Sequence, residues 1–67
     1  MPLTTVYIPD PQGREYATNV EAESIEAAVE QAVAFFRDPF WKGPKPKSGT
    51  VLRVSPMGGK GTRVTLP

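Results

Sequence analysis

The side chains with the most chemical potential crowd into one stretch. FFRDPFWKGPKPKSG, positions 35–49, places Phe35, Phe36, Phe40 and Trp41 within seven positions, then Lys42, Lys45 and Lys47 among prolines and glycines. Rings beside cations suit single-stranded nucleic acid, because bases stack on aromatic faces while cationic heads neutralise phosphates. Large aromatics are equally the anchors of protein interfaces. Arg53, Lys60 and Arg63 extend the cationic set beyond this stretch.

The formal net charge of +1 conceals a division along the chain. Residues 1–38 hold all seven acids and only two arginines, a balance of −5, whereas residues 39–67 hold six cations and no acid. Such asymmetry points to an anionic partner. Part of it has a structural cause. Glu21, Glu23 and Glu26 surround the start of an expected helix and Arg37 and Lys42 its end, the arrangement the helix dipole favours. Lys45 through Arg63 lie outside that explanation.

The composition argues against catalysis. The chain has no histidine and no cysteine, so the commonest general base, the commonest metal ligand and the thiol nucleophile are all missing. Glu26 and Glu30 stand one helical turn apart, but on a solvent-facing stripe such a pair is the normal polar face of a helix. MGGKGT, residues 57–62, lacks the order of a phosphate-binding loop, which needs GxxxxGK[ST] leading into a helix. It reads as a glycine-rich hairpin tip with Lys60 on it. No cofactor, metal or small-molecule substrate is expected, and the chain is read as a non-enzymatic module.

These residues need elements to position them. Leu3 to Ile8, LTTVYI, is β-branched and aromatic and predicts a strand, with Val6 and Ile8 on one face and Thr5 and Tyr7 on the other. PDPQG marks a turn. Glu15 to Ala22 resumes alternation, with Tyr16, Thr18, Val20 and Ala22 on one face, so the two runs form a hairpin. Ser24 is an N-cap, and apolar residues at 25, 28, 29, 32, 33 and 36 follow helical spacing until Asp38-Pro39 stops the helix. A loop over 39–49 follows, then strands over 50–55 and 62–66.

The order ββαββ predicts an α+β two-layer sandwich. One helix covers one face of a four-stranded, mostly antiparallel sheet of spatial order 2-1-3-4, in a single domain over 1–67. The expected inner layer is Val6, Ile8, Val20, Ile25, Val29, Ala32, Phe36, Leu52, Val54, Val64 and Leu66. The uncovered layer shows Thr5, Tyr7, Arg53, Arg63 and Thr65. Phe40 and Trp41 are expected to fold back as a plug over the end of the core, which leaves Trp41 to Lys47 as the candidate surface loop.

YIPDPQG followed by VEAESIEAAVEQAVAF resembles the opening of HicB-type antitoxin domains, where a strand, a Pro-Asp-containing turn and a Glu/Ala-rich helix occur in that order. The spacing between turn and helix and the order of Pro and Gly differ from that pattern.

Two functions follow from the residues. The first is a nucleic-acid-binding surface made of Tyr7, Trp41, Lys42, Lys45, Lys47, Arg53, Lys60 and Arg63. The second is a protein-interaction module or small regulatory subunit, homodimeric, with Phe35, Phe40 and Trp41 as anchors. A chain of this length buries only about 60% of its unfolded surface, which favours association. Small sheets often hide an open face in a dimer, here one that would bury Tyr7 and Val51. No leader pattern or apolar span is evident, and the lack of cysteine fits a reducing compartment, so a soluble, cytoplasmic setting is expected.

Overall fold

A computed structural model describes residues 3–56 and 59–67 of the chain. Met57 and Gly58 of the expected hairpin tip lie outside the described residues. The elements are β1 (Leu3–Pro9), β2 (Glu15–Glu21), α1 (Ile25–Phe36), β3 (Val51–Pro56) and β4 (Thr62–Thr65). The sheet has the order β2-β1-β3-β4, and every neighbouring pair is antiparallel. This is the expected α+β two-layer arrangement, with the expected strand order.

Local chemistry accounts for each connection. In the β1–β2 turn, Asp10 Oδ1 accepts from the Gln12 backbone N–H at 2.9 Å, and Gly13, at φ 92°, donates to Asp10 O. Ser24 caps α1, its Oγ accepting from Ala27 N–H at 3.1 Å. The helix ends at Phe36, with Arg37 as its C-cap just before Asp38-Pro39, because the proline ring disfavours helical geometry at Asp38. Lys47 to Thr50 forms a turn whose third residue, Gly49, takes φ 87°, a conformation that side chains with a Cβ resist.

Strand register fixes both faces of the sheet. Tyr7 stands opposite Ala17 on β2 and Arg53 on β3, and Arg53 stands opposite Arg63 on β4. With the two-residue side-chain period, even-numbered positions of the four strands turn toward the helix and odd-numbered ones away from it. The core is Val6, Ile8, Ala22, Ala28, Val29, Ala32, Phe36, Leu52 and Val54, all buried. Val20, Val64 and Leu66 pack against it half-buried.

One inner-layer assignment is wrong. Ile25 is 39% exposed, because it opens the helix directly after its cap, at the end of the sheet beside Thr4 and Pro56. Ala22 and Ala28 are buried in the core instead. The helix packs against β1, β2 and β3, which leaves the inner side of β4 only partly covered and explains the half-burial of Val64 and Leu66. No helix among the described residues is long and apolar enough to cross a membrane.

Candidate functional site

The aromatic stretch divides into residues with different environments. Phe36 is fully buried in the core. Trp41 follows it back, its ring centroid 5.2 Å from that of Phe36, 5.4 Å from Phe35 and 5.7 Å from Tyr16, the last in an edge-on arrangement. Its indole N–H donates to Pro44 O at 2.8 Å, which satisfies the one polar group the ring carries. Trp41 therefore closes the end of the core. Phe40 does not join it: Phe40 is 89% exposed. A tight turn forces the split, with Trp41 N–H bonded to Asp38 O and Phe40 N–H to Asp38 Oδ1, so the two rings leave in different directions. Phe35 lies between these extremes, half-exposed and in contact with both Phe36 and Trp41.

Two of the candidate cations are engaged within the fold. Lys45 Nζ donates to Asp38 O at 3.1 Å and Trp41 O at 3.2 Å, which places its ammonium on two carbonyls of the turn that follows the helix. Its ammonium is thereby held at that turn. Arg53 makes a forked ion pair with Glu15, Nη2 to Oε1 at 2.8 Å and Nε to Oε2 at 3.2 Å. Its guanidinium also lies 4.0 Å over the centre of the Tyr7 ring. The hydrogen bond from Arg53 holds the Glu15 carboxyl below its ordinary value; desolvation opposes it, and the charges of Arg53 and then Arg63 add to the lowering. The same bond raises Arg53.

The uncovered sheet face is built as rows across the strands. Ala17, Tyr7, Arg53 and Arg63 form the central row, one residue from each strand. Antiparallel pairing continues the pattern to Asn19, Thr5 and Ser55 on one side, and to Glu15, Pro9, Val51 and Thr65 on the other. Thr5 Oγ1 donates to Asn19 Oδ1 at 2.6 Å, so the upper row is tied together. The Tyr7 ring and the two arginines stand at the centre of this face, with Glu15 and half-exposed Val51 beside them. A shallow depression beside them is lined by Pro9, Glu15, Val51, Arg53 and Arg63.

The eight residues proposed as a nucleic-acid surface thus fall into three places. Tyr7, Arg53 and Arg63 share the open sheet face. Trp41, Lys42, Lys45 and Lys47 belong to the loop at the end where α1 stops, with Lys47 beside a groove that also holds Asp10, Pro44 and Thr50. Lys60 is exposed in the β3–β4 connection, at the opposite end of the strands. The structure joins the first three and separates the rest. Sequence reasoning missed Glu15, since nothing in its local pattern shows that the register brings it to Arg53, 38 positions away.

Among the described residues no three His, Cys, Asp or Glu side chains come together as a metal-binding group. Comparison with family models, with curated proteins and with solved structures gave no match, so the chain is assigned to no family and the HicB resemblance stays one of element order.

Proposed function

We propose that the protein is a non-enzymatic binding module that takes single-stranded nucleic acid on its uncovered sheet face. The observation that carries this reading is the row of Tyr7, Arg53 and Arg63 across β1, β3 and β4, with a guanidinium already seated on a ring. A base adds to such a ring-and-guanidinium stack, and Arg63 and Lys60 meet the phosphates that follow. Glu15 restrains Arg53 and lowers affinity for any anion, consistent with a modest binder whose net charge is only +1.

The test is an anisotropy titration of labelled single-stranded DNA and RNA at two salt concentrations. Three phosphate contacts give a slope of roughly −2 in log K against log salt, since each single-strand contact contributes about −0.7. Affinity then falls roughly twentyfold between about 50 and 200 mM salt. Absence of binding at the lower salt sinks the proposal. So does binding that Arg63→Ala leaves unchanged.

A protein-interaction role is supported by a different observation. Phe40 is held almost wholly in solvent by an ordered turn, beside half-exposed Phe35, and a preordered ring loses little entropy on docking. This surface competes with the sheet face as the principal site. A concentration-dependent mass that Phe40→Ala abolishes, with no response to nucleic acid, would establish it instead.

A further inference from the structure

We infer that β4 is a self-pairing edge, through which two copies of this chain join their sheets into one of eight strands. The inference rests on strand register and is independent of the nucleic-acid reading. No strand lies beyond β4 in the described sheet. Leu66 directs its backbone toward β3, its N–H donating to Thr50 O at 2.8 Å and its C=O accepting from Gly49 at 3.0 Å. Alternation therefore directs Thr62 and Val64 toward β3 as well, and the N–H and C=O groups of Arg63 and Thr65 outward.

A two-fold axis through Val64 matches that edge with itself. Arg63 then faces Thr65 of the second copy and Thr65 faces its Arg63, each pair exchanging both backbone hydrogen bonds. Val64 meets its own copy in the close, non-hydrogen-bonded pairing between them. Neighbouring registers are worse. Centring on Arg63 sets two guanidinium groups directly opposite each other, and centring on Thr65 sets Arg63 against Pro67, which has no N–H.

The other edge is guarded in its longest self-paired register. The β2 backbone bonds to β1 through its even-numbered residues, as the bond from Asp10 N–H to Arg14 O shows, so Glu15, Ala17, Asn19 and Glu21 face outward. The equivalent axis through Thr18 would place Glu15 against Glu21 twice. Like charges opposite one another destabilise a pair. Pairing β4 with β2 of another copy would give an open-ended assembly, whereas β4 with β4 closes at two. Half-exposed Val64 and Leu66, on the part of the inner face that α1 leaves bare, are partly covered when the second β4 arrives.

The decisive variant is Thr65→Pro. Its lost N–H points away from β3, so the fold keeps its internal hydrogen bonds while the edge loses a donor in each copy. Sedimentation equilibrium of the wild-type chain from micromolar to millimolar concentration is expected to show the mass rising from 7.3 kDa toward twice that value. Thr65→Pro is expected to stay at 7.3 kDa. Amide hydrogen exchange at Arg63 and Thr65 should slow roughly tenfold or more as the wild type associates, while Ala17 and Asn19 on the β2 edge stay fast. Higher salt should strengthen the dimer, because the two Arg63 groups lie diagonally across the new pairing and salt screens their repulsion. A monomer at every concentration overturns the inference. A dimer whose Arg63 and Thr65 amides still exchange freely, or one that forms equally well with Thr65→Pro, also overturns it. Should Thr65→Pro not fold, the exchange pattern of the wild type decides alone.

Discussion

Gly43 offers a sharp test of how Trp41 is held. A Cβ built on Gly43 would overlap Cζ2 of the Trp41 indole and come within 2.7 Å of Cε2, although Gly43 has no positive φ to defend. The glycine is there for closeness: the chain passes flat against the indole on its way to Pro44, whose carbonyl accepts the indole N–H. The ring cannot retreat, since Tyr16, Phe35 and Phe36 all pack against it. Gly43→Ala must therefore displace either the loop or the ring. Overpacking of this kind costs about 1–3 kcal/mol. For a domain of this size, about 2 kcal/mol lowers the melting temperature by roughly 8–16 °C. The assay is a double-mutant cycle by thermal and urea denaturation. In a Trp41→Ala background the clash has no partner, so Gly43→Ala should cost close to nothing there. Equal costs in both backgrounds, or no cost in the wild type, would refute the claim that the glycine serves the tryptophan.

The remaining predictions separate structural from binding roles. Phe36→Ala removes the largest fully buried side chain and should cost about 3–5 kcal/mol, much of the stability of so small a domain, whereas Phe40→Ala should leave urea midpoints unchanged. Ser24→Ala loses the hydrogen bond to Ala27 and should destabilise by about 1 kcal/mol, with Ser24→Asp restoring it. Glu15→Gln frees Arg53 and should tighten single-strand binding by up to about fivefold in the titration, the range of an exposed ion pair, while weaker binding would contradict the assigned role. Because Glu15 titrates below its ordinary value in the fold, its pair with Arg53 contributes at neutral pH and is lost as pH falls below the usual carboxylate range. The contribution is small and screened, so Glu15→Gln should flatten the acid side of the stability profile only slightly.

Periodicity carried most of the fold because this chain follows local rules closely. Alternation in LTTVYI and TVLRVS, the i, i+3, i+4 spacing after Ser24 and the Asp38-Pro39 stop each depend on neighbours in sequence, and each is realised within a residue or two. Ile25 went astray because helical spacing cannot tell how far the sheet reaches beneath the first turn. Phe40 went astray for a related reason, while Trp41 folds back over the core as expected. Adjacent residues in a turn diverge, and only the Asp38 bonds decide which ring turns inward. The Glu15–Arg53 pair was illegible for the opposite reason, since it depends on three strands in register rather than on any local pattern.

Register also decides how the basic half of the chain can act. Its cations do not make one patch. Lys45 holds carbonyls, Lys60 stands at one end of the sheet and Lys42 and Lys47 lie toward the other, so a single copy presents only Arg53 and Arg63 together on the open face. Self-pairing at β4 changes that count. It sets two copies of the Tyr7–Arg53–Arg63 row on one continuous face, with the two β1 strands five spacings, or about 24 Å, apart. Four arginines in line, against two in the monomer, would deepen the arginine share of the salt slope from roughly −1.4 to roughly −3. A nucleic-acid strand long enough to cross that distance would also draw the copies together, because whatever binds the dimer better than the monomer shifts association by mass action. Salt then acts in opposite directions on the two events, strengthening the bare dimer and weakening the loaded one. That opposition lets sedimentation with and without oligonucleotide assign each event to its own surface.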